Sequence, residues 1–417
     1  MKNAHVIFLT GVLFVTGSLS VVSMDATADQ AVKTEGRRIV VDFDQDGEYE
    51  PFFVKGVGYS PDPVRTFPSQ YGNCRYTGEK EGEPQFTCQR NVYDNSAILD
   101  RDLPLIRAMN ANVIRTWGDV TARLLMKANE NDLKVIAGFW VQHNFDYVNG
   151  DVAKVKEDFV NYVSKFKKYP ALFAWGLSNE NALGFCSFTS EACDRDEQAR
   201  AFHKLINEMA QAAHDIEGAD FHPVIVVHAD LGAVGRSNAG ADDDALSAVD
   251  IHGINAYRGM TFGKGVNSLF QQYMARSKKP MLITEFGTDV WYTMDPENPS
   301  RGAERPDLQA AFVSSAWDDI VKNDVSAGGP NNGGVVFHYT DVWWQDKGAW
   351  KRSCSTHDYG YQVLEGGQVW AGGQPDGFSN PEWYGLVAFQ TDNDLREVDT
   401  VQPRMVYYAL QNKFLKQ

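Results

Sequence analysis

The sequence predicts an α/β chain folded as a single-domain (β/α)8 TIM barrel, and three observations lead there. From Arg38 onward, eight short apolar, β-branched runs alternate with amphipathic stretches, the pattern of parallel strands joined by crossover helices. The glycine-rich phosphate loop that usually announces an open doubly wound sheet is missing. Two of the eight runs also pass abruptly from apolar to acidic residues at their carboxyl ends, the face on which barrels build their sites.

The elements follow in order. Lys2, the apolar run from Val6 to Val22 and the triplet Ala26-Thr27-Ala28 have the build of an export signal, so residues 1–28 are set apart from the fold and the chain is expected to be secreted, extracellular or periplasmic. Nothing later resembles a membrane span, so no membrane contact is expected once that segment is removed. Residues 29–417 are then one barrel domain. Arg38–Phe53, with Asp46-Gly47 between apolar segments, reads as a β-hairpin leading into the first strand. Its run from Asp42 to Gly47 superficially resembles a calcium loop, but Phe53 stands where that loop needs a glutamate, so a plain turn is the reading and no metal or other cofactor is expected.

The strands are expected at Phe52–Gly58, Asn112–Trp117, Lys134–Val141, Leu172–Ser178, Pro223–His228, Asp250–Tyr257, Met281–Glu285 and Gly334–Tyr339. Helical patterns lie at Ile98–Met109, Thr121–Asn131, Val152–Phe166, Glu197–Glu217, Val266–Arg276, Pro306–Asn323 and Arg404–Phe414. The weakest helical pattern is Ala229–Val249, rich in Gly, Ala and Asp. Long insertions follow the first strand (Tyr59–Asn95) and the last (Thr340–Phe389).

The formal charge of −16 disfavours nucleic acid and anionic membranes as partners and suits a neutral one, though acidity also serves solubility alone. Five cysteines all fall after the signal. Cys74 with Cys88 and Cys186 with Cys193 are close neighbours in polar sequence, which suits two local disulfides in an oxidising compartment and leaves Cys354 over. No CxxC or HxxxH spacing accompanies them, so zinc is a poor reading.

The chemistry-bearing residues sit at the carboxyl ends of the fourth and seventh strands: Ser178-Asn179-Glu180-Asn181 and Thr284-Glu285-Phe286-Gly287. Converging at one mouth, Glu180 and Glu285 would form the pair of carboxyl groups, about 5–5.5 Å apart, that a retaining glycosidase needs. One attacks the anomeric carbon; the other protonates the departing oxygen and then activates water.

These paired motifs resemble glycoside hydrolase clan A, and the resemblance spans the whole barrel. It implies that Glu180 is the acid/base, that Glu285 is the nucleophile, and that Asn179 bonds the sugar 2-hydroxyl. Arg115, in Val113-Ile-Arg115-Thr-Trp117, matches the clan's arginine beside the nucleophile, and Tyr257 matches its sixth-strand aromatic; a structural salt bridge and an ordinary buried tyrosine are the bland alternatives. Val54-Lys-Gly-Val-Gly-Tyr59 and Arg101–Arg115 resemble fungal β-1,3-glucanosyltransferases, and Gly333–Trp344 resembles bacterial relatives of the family 2 barrel, with family 5-like barrels also in the frame. The fungal family's cysteine-rich module and the β-sandwich domains that precede a family 2 barrel are both missing, so the resemblance speaks for mechanism more than for substrate.

Among the histidines at strand ends, His143 and His228 read as mouth residues that contact substrate or hold a hydrogen bond. A metal-dependent barrel would carry His-x-His in its first strand, and Phe52–Tyr59 has none. Tryptophans are concentrated in the mouth segments, which suits the flat apolar faces of sugars; Trp117, Trp343 and Trp344 are candidate contacts, the last two for the cleft floor. The expected partner is a β-linked glycan, β-1,3-glucan first, cleaved by water or transferred to another sugar. A noncatalytic carbohydrate-binding barrel is the reading from a different class.

Overall fold

The computed structural model describes residues 31–64, 66–69, 72–80, 83–88, 92–118, 120–298, 300–343, 345, 357, 374–390 and 398–417, with the backbone alone described at 66–69, 72–80 and 83–88. Eight parallel strands close on themselves: β1 (Val54–Gly58), β2 (Val113–Arg115), β3 (Lys134–Phe139), β4 (Leu172–Leu177), β5 (Val224–Ala229), β6 (Ile251–Asn255), β7 (Met281–Phe286) and β8 (Asn331–Val336). Each pairs with its neighbours in chain order, and β8 closes the ring on β1 through Gly333–Val336 against Val54–Val57. The expected fold class is therefore the observed one.

Strand alternation sorts the side chains into two layers. Val54, Val113, Ile136, Phe173, Ile225, Val227, Ile251, Leu282 and Val335 fill the interior of the barrel. Residues between them, such as Val135, Trp175, Val226 and Ile283, face the helices. Each such fully buried apolar side chain contributes about 1.5–3 kcal/mol relative to exposure.

Around the barrel run α1 (Ser96–Ala108), α2 (Ala122–Glu130), α3 (Val152–Phe166), α4 (Arg195–Glu217), α5 (Leu269–Met274), α6 (Pro306–Lys322) and α7 (Met405–Phe414). The first four begin where a side chain can accept the free N–H groups of the first turn, from Asn95, Thr121, Asp151 and Asp194 respectively. The last helix packs back on α6 through Trp317 and Phe414, ring centroids 4.6 Å apart, and on α1 through the Tyr407 hydroxyl and the Leu105 carbonyl. Between β5 and β6 the chain forms turns and the single 3-10 turn Ser237–Ala239, with no α-helix. Gly232, Gly235 and Gly240 interrupt this segment, and glycine disfavours a helix by about 1 kcal/mol per residue relative to alanine.

The N-terminal hairpin is present but larger than expected: Val32–Glu35, Arg38–Val41 and Glu50–Pro51 form a three-stranded antiparallel sheet. Val32, Ile39 and Val41 plug the amino end of the barrel, and the Ile39 N–H donates to Asn332 Oδ1. In the loop that follows, Asp42 accepts the N–H groups of Asp46 and Gly47, closing the turn. With that end sealed, the carboxyl end is the one left to receive a ligand.

The insertion after β1 forms a three-stranded sheet, Thr66–Ser69, Gly72–Lys80 and Glu83–Cys88, in which Cys74 and Cys88 are directly opposed. Their side chains lie outside the described residues, as do Cys354 and residues 1–28, where the export signal is expected. Cys186 and Cys193 form a disulfide. No helix among the described residues is long and apolar enough to cross a membrane.

Candidate active site

Glu285 is the last but one residue of β7, and the ends of two strands, β2 and β6, supply its three partners. Arg115, at the end of β2, donates from Nη1 to Oε1 at 2.8 Å; Trp117 donates its indole N–H to the same oxygen at 2.9 Å; the Tyr257 hydroxyl donates to Oε2 at 2.8 Å. All three bonds favour the anion. Trp117 fits beneath the mouth because β1 ends in glycine: a Cβ at Gly58 would stand 2.8 Å from its ring.

The second arm of Arg115 reaches Asn179 Oδ1 at 2.8 Å, and Asn255 Nδ2 donates to that oxygen at 3.0 Å. Asn255 in turn accepts from the Thr284 hydroxyl at 2.8 Å. Arg115 and Asn255 thereby tie the ends of β2, β4, β6 and β7 into one polar network. Asn255 has no role in the sequence reading, although it ends β6 two residues before Tyr257, a spacing that puts both on the same side of the extended chain.

Glu180 follows β4 and sits with φ 56°, ψ 30°, in the left-handed region, two residues after Ser178 at φ 65°. Such backbone costs of the order of 1 kcal/mol for a non-glycine residue and persists where its surroundings hold it. Here the Glu180 N–H is held by the Val227 carbonyl at 3.1 Å. Burial, and then the negative charge of Glu285, push the Glu180 carboxyl up to about 8, against the opposing influence of Asn255 and Arg115. One of the two acids is thus braced by three donors while the other is held toward its protonated form.

His143 lies beside this pair, its Nε2 2.5 Å from the Asn179 carbonyl oxygen. Burial lowers its pKa, so the imidazole is neutral and Nε2–H is the donor. Gly184 makes room for it, since a Cβ there would fall 2.6 Å from the His143 carbonyl oxygen.

His228 does not stand over the open mouth; it lines a small cavity together with Glu180, Asn181 and His203. On β5, Ile225 and Val227 face the barrel interior, so His228 points the other way, into the helix layer. There it is 5% exposed, its Nε2 meets His252 Nδ1 at 3.1 Å, and its ring lies 5.9 Å from His203 of α4. Trp343 does not floor the cleft either: it is buried and stacks on His357 at 3.9 Å, and His357 stacks on Trp383. Trp344 lies outside the described residues. The aromatic wall beside Glu285 is made instead by Trp117, Tyr257 and Phe337, with Tyr384 edge-on to both Tyr257 and Phe337. Phe337 and Tyr384 were missed because the last strand ends three residues earlier than the apolar run suggests and Tyr384 arrives from a distant loop.

The Asp42, Asp44 and Asp46 carboxylates come within 4.8 Å of one another at the opposite, amino end of the barrel. They take no part in the mouth.

No family model matches the chain, and no curated protein matches its sequence. Solved structures do match. They include a GH2 β-galacturonidase from Eisenbergiella tayi bound to galacturonate (15% identity, TM-score 0.57, 93% of this chain and 54% of that one). A β-glucuronidase from Ruminococcus gnavus in complex with C6-substituted uronic isofagomine (16% identity, TM-score 0.55, 92% and 52%) and a β-D-glucuronidase of Dictyoglomus thermophilum (15%, 0.53, 93% and 54%) match similarly. The chain spans about half the length of the structures it matches. At such identity the likeness is one of fold: this chain is built on the barrel that these glycoside hydrolases share.

Proposed function

We propose that this protein is a secreted retaining β-glycosidase, with Glu285 as nucleophile and Glu180 as acid/base. The observation that carries this reading is the division of labour between the two glutamates: Glu285 takes three hydrogen bonds that stabilise a carboxylate, and burial pushes Glu180 up to about 8. In the first step Glu285 attacks the anomeric carbon as Glu180 gives its proton to the glycosidic oxygen, so the leaving alcohol departs and a glycosyl ester forms. Esterification removes the Glu285 charge, which frees Glu180 to ionise. It then takes a proton from water, whose oxygen attacks the anomeric carbon and breaks its bond to the Glu285 carboxylate, which is released. Asn179, with Oδ1 already held by Arg115 and Asn255, has its N–H2 group left for the sugar 2-hydroxyl.

For the substrate, the first-strand and second-strand motifs favour a β-1,3-linked glucan, and hydrolysis stands ahead of transfer. The matched structures are named for uronosides, so these belong beside the neutral glycans in the test. Arg115 and Arg258, the arginines at the ends of β2 and β6, are each committed to a carboxylate, Glu285 and Asp230, which favours a neutral sugar.

The experiment is a product assay on β-glucans, mannans, xylans and aryl β-glycosides including β-glucuronides, with wild type, Glu285→Gln and Glu180→Ala. Loss of turnover with retained binding in Glu285→Gln, and rescue of Glu180→Ala by azide with a β-glycosyl azide as product, are expected. An α-azide, or undiminished activity in either variant, overturns the assignment. Export is checked by sequencing the mature N-terminus, expected just after Ala28.

A further inference from the structure

Among the described residues, the acid/base side of the mouth carries a tryptophan that the chemistry above does not use. Trp140 directly follows β3, where Ile136 faces the barrel interior, so that alternation turns Trp140 inward at the rim. Its indole lies parallel to the His143 imidazole, 4.9 Å between centroids and 15° between planes. His143 is in turn pinned to the Asn179 carbonyl, one residue from Glu180. The stack covers one face of the indole, yet Trp140 remains 40% exposed. Among the described residues, Trp117 also stands beside the carboxylates, and it is spent on its bond to Glu285.

Resting on the glycosidase reading, we propose that Trp140 is the platform for the leaving group: the sugar ring on the far side of the scissile bond from Glu285 lays an apolar face on the free side of this indole. Glu180 must reach the glycosidic oxygen, so the leaving group lies on the Glu180 side, which is where the Trp140 and His143 stack stands. A planar ring backed by another ring loses little freedom on binding and offers a flat apolar surface. The class of substrate that profits has a ring-shaped leaving group, a second sugar or an aryl group, and the same surface would hold an acceptor sugar during transfer. Trp140 is then a specificity-determining residue rather than a part of the acid and base chemistry.

The test compares three substrates of one glycone, the one on which wild type turns over: a β-linked disaccharide, an aryl β-glycoside and the β-glycosyl fluoride, whose leaving group offers no ring. Trp140→Ala is expected to lower kcat/KM on the disaccharide by about tenfold or more, carried mainly by KM, and to leave the fluoride within about twofold. Trp140→Phe should restore most of the loss. Equal losses on disaccharide and fluoride would make Trp140 a structural support and overturn the proposal, as would an unchanged disaccharide rate. Failure of the underlying reading looks different: wild type inactive on every glycone, or Glu285→Gln as active as wild type on the fluoride.

Discussion

Replacing Glu285 by Gln removes the negative charge that faces Glu180 while keeping the size of the side chain. At the separation of about 5–5.5 Å that a retaining pair requires, and in surroundings of effective dielectric constant near 20 or somewhat above, two carboxylates repel by roughly 1.5–3 kcal/mol, equivalent to about 1–2 pH units. Burial is the larger cause of the elevation, and it stays. Arg115, deprived of its carboxylate partner, acts on Glu180 in the same direction as the lost repulsion. The Glu180 carboxyl is therefore expected to fall from about 8 in the wild type to roughly 6–7 in Glu285→Gln, still above the ordinary value of 4.5. Carboxyl 13C resonances of glutamate-labelled protein, followed against pH and assigned by difference with Glu180→Gln, measure both values without any substrate. A Glu180 that titrates near 8 in both proteins would show that Glu285 does not face it, and one near 4.5 in the wild type would remove the acid. The companion effect in activity is an alkaline limb of kcat/KM near pH 8, since only the protonated form can assist departure.

Two other perturbations follow from the geometry. Tyr257→Phe deletes the hydroxyl that donates to Glu285 Oε2 and leaves the ring in place; a hydrogen bond to a charged group contributes about 1.5–3 kcal/mol, so kcat/KM should fall roughly tenfold to a hundredfold with little change in Tm, and an unaltered rate would exclude the contact from catalysis. Acid stability should report on the buried histidines between barrel and helices: burial lowers His203 from 6.5 to about 4, so the unfolded chain binds a proton that the folded one refuses, and stability declines as pH drops through the interval from 6.5 to 4. The loss is about 2 kcal/mol for this one group between pH 7 and pH 5. Denaturant titrations of wild type and His203→Gln at the two pH values test it, the variant being expected to show the smaller decline; equal declines would mean that His203 is not the group responsible.

The barrel was legible in the sequence because each strand and helix carries its own period of apolar residues. A run such as Lys134–Phe139 or Val152–Phe166 needs no partner to announce its type, and the abrupt endings at Glu180 and Glu285 mark the mouth from the same local pattern. Asn179, Arg115, Trp117 and Tyr257 were legible for a related reason: each lies at the carboxyl end of its strand, where the closed ring brings all eight strands to one place.

What the chain alone could not decide was direction and company. His228 also stands at a strand end, but one step of the two-residue alternation turns it to the helix layer and into contact with His203 and His252, which are 25 and 24 residues away. Trp343 looked like a cleft floor until His357 was seen to cover it, and Asn255 acquired a role only when β2, β4 and β7 supplied its partners. Local periodicity is encoded by neighbours a few residues apart and so survives in a linear reading. Which face of a side chain is covered, and whether a carboxyl keeps its proton, depend on burial and charge contributed by residues scores of positions away, and those exist only once the ring has closed.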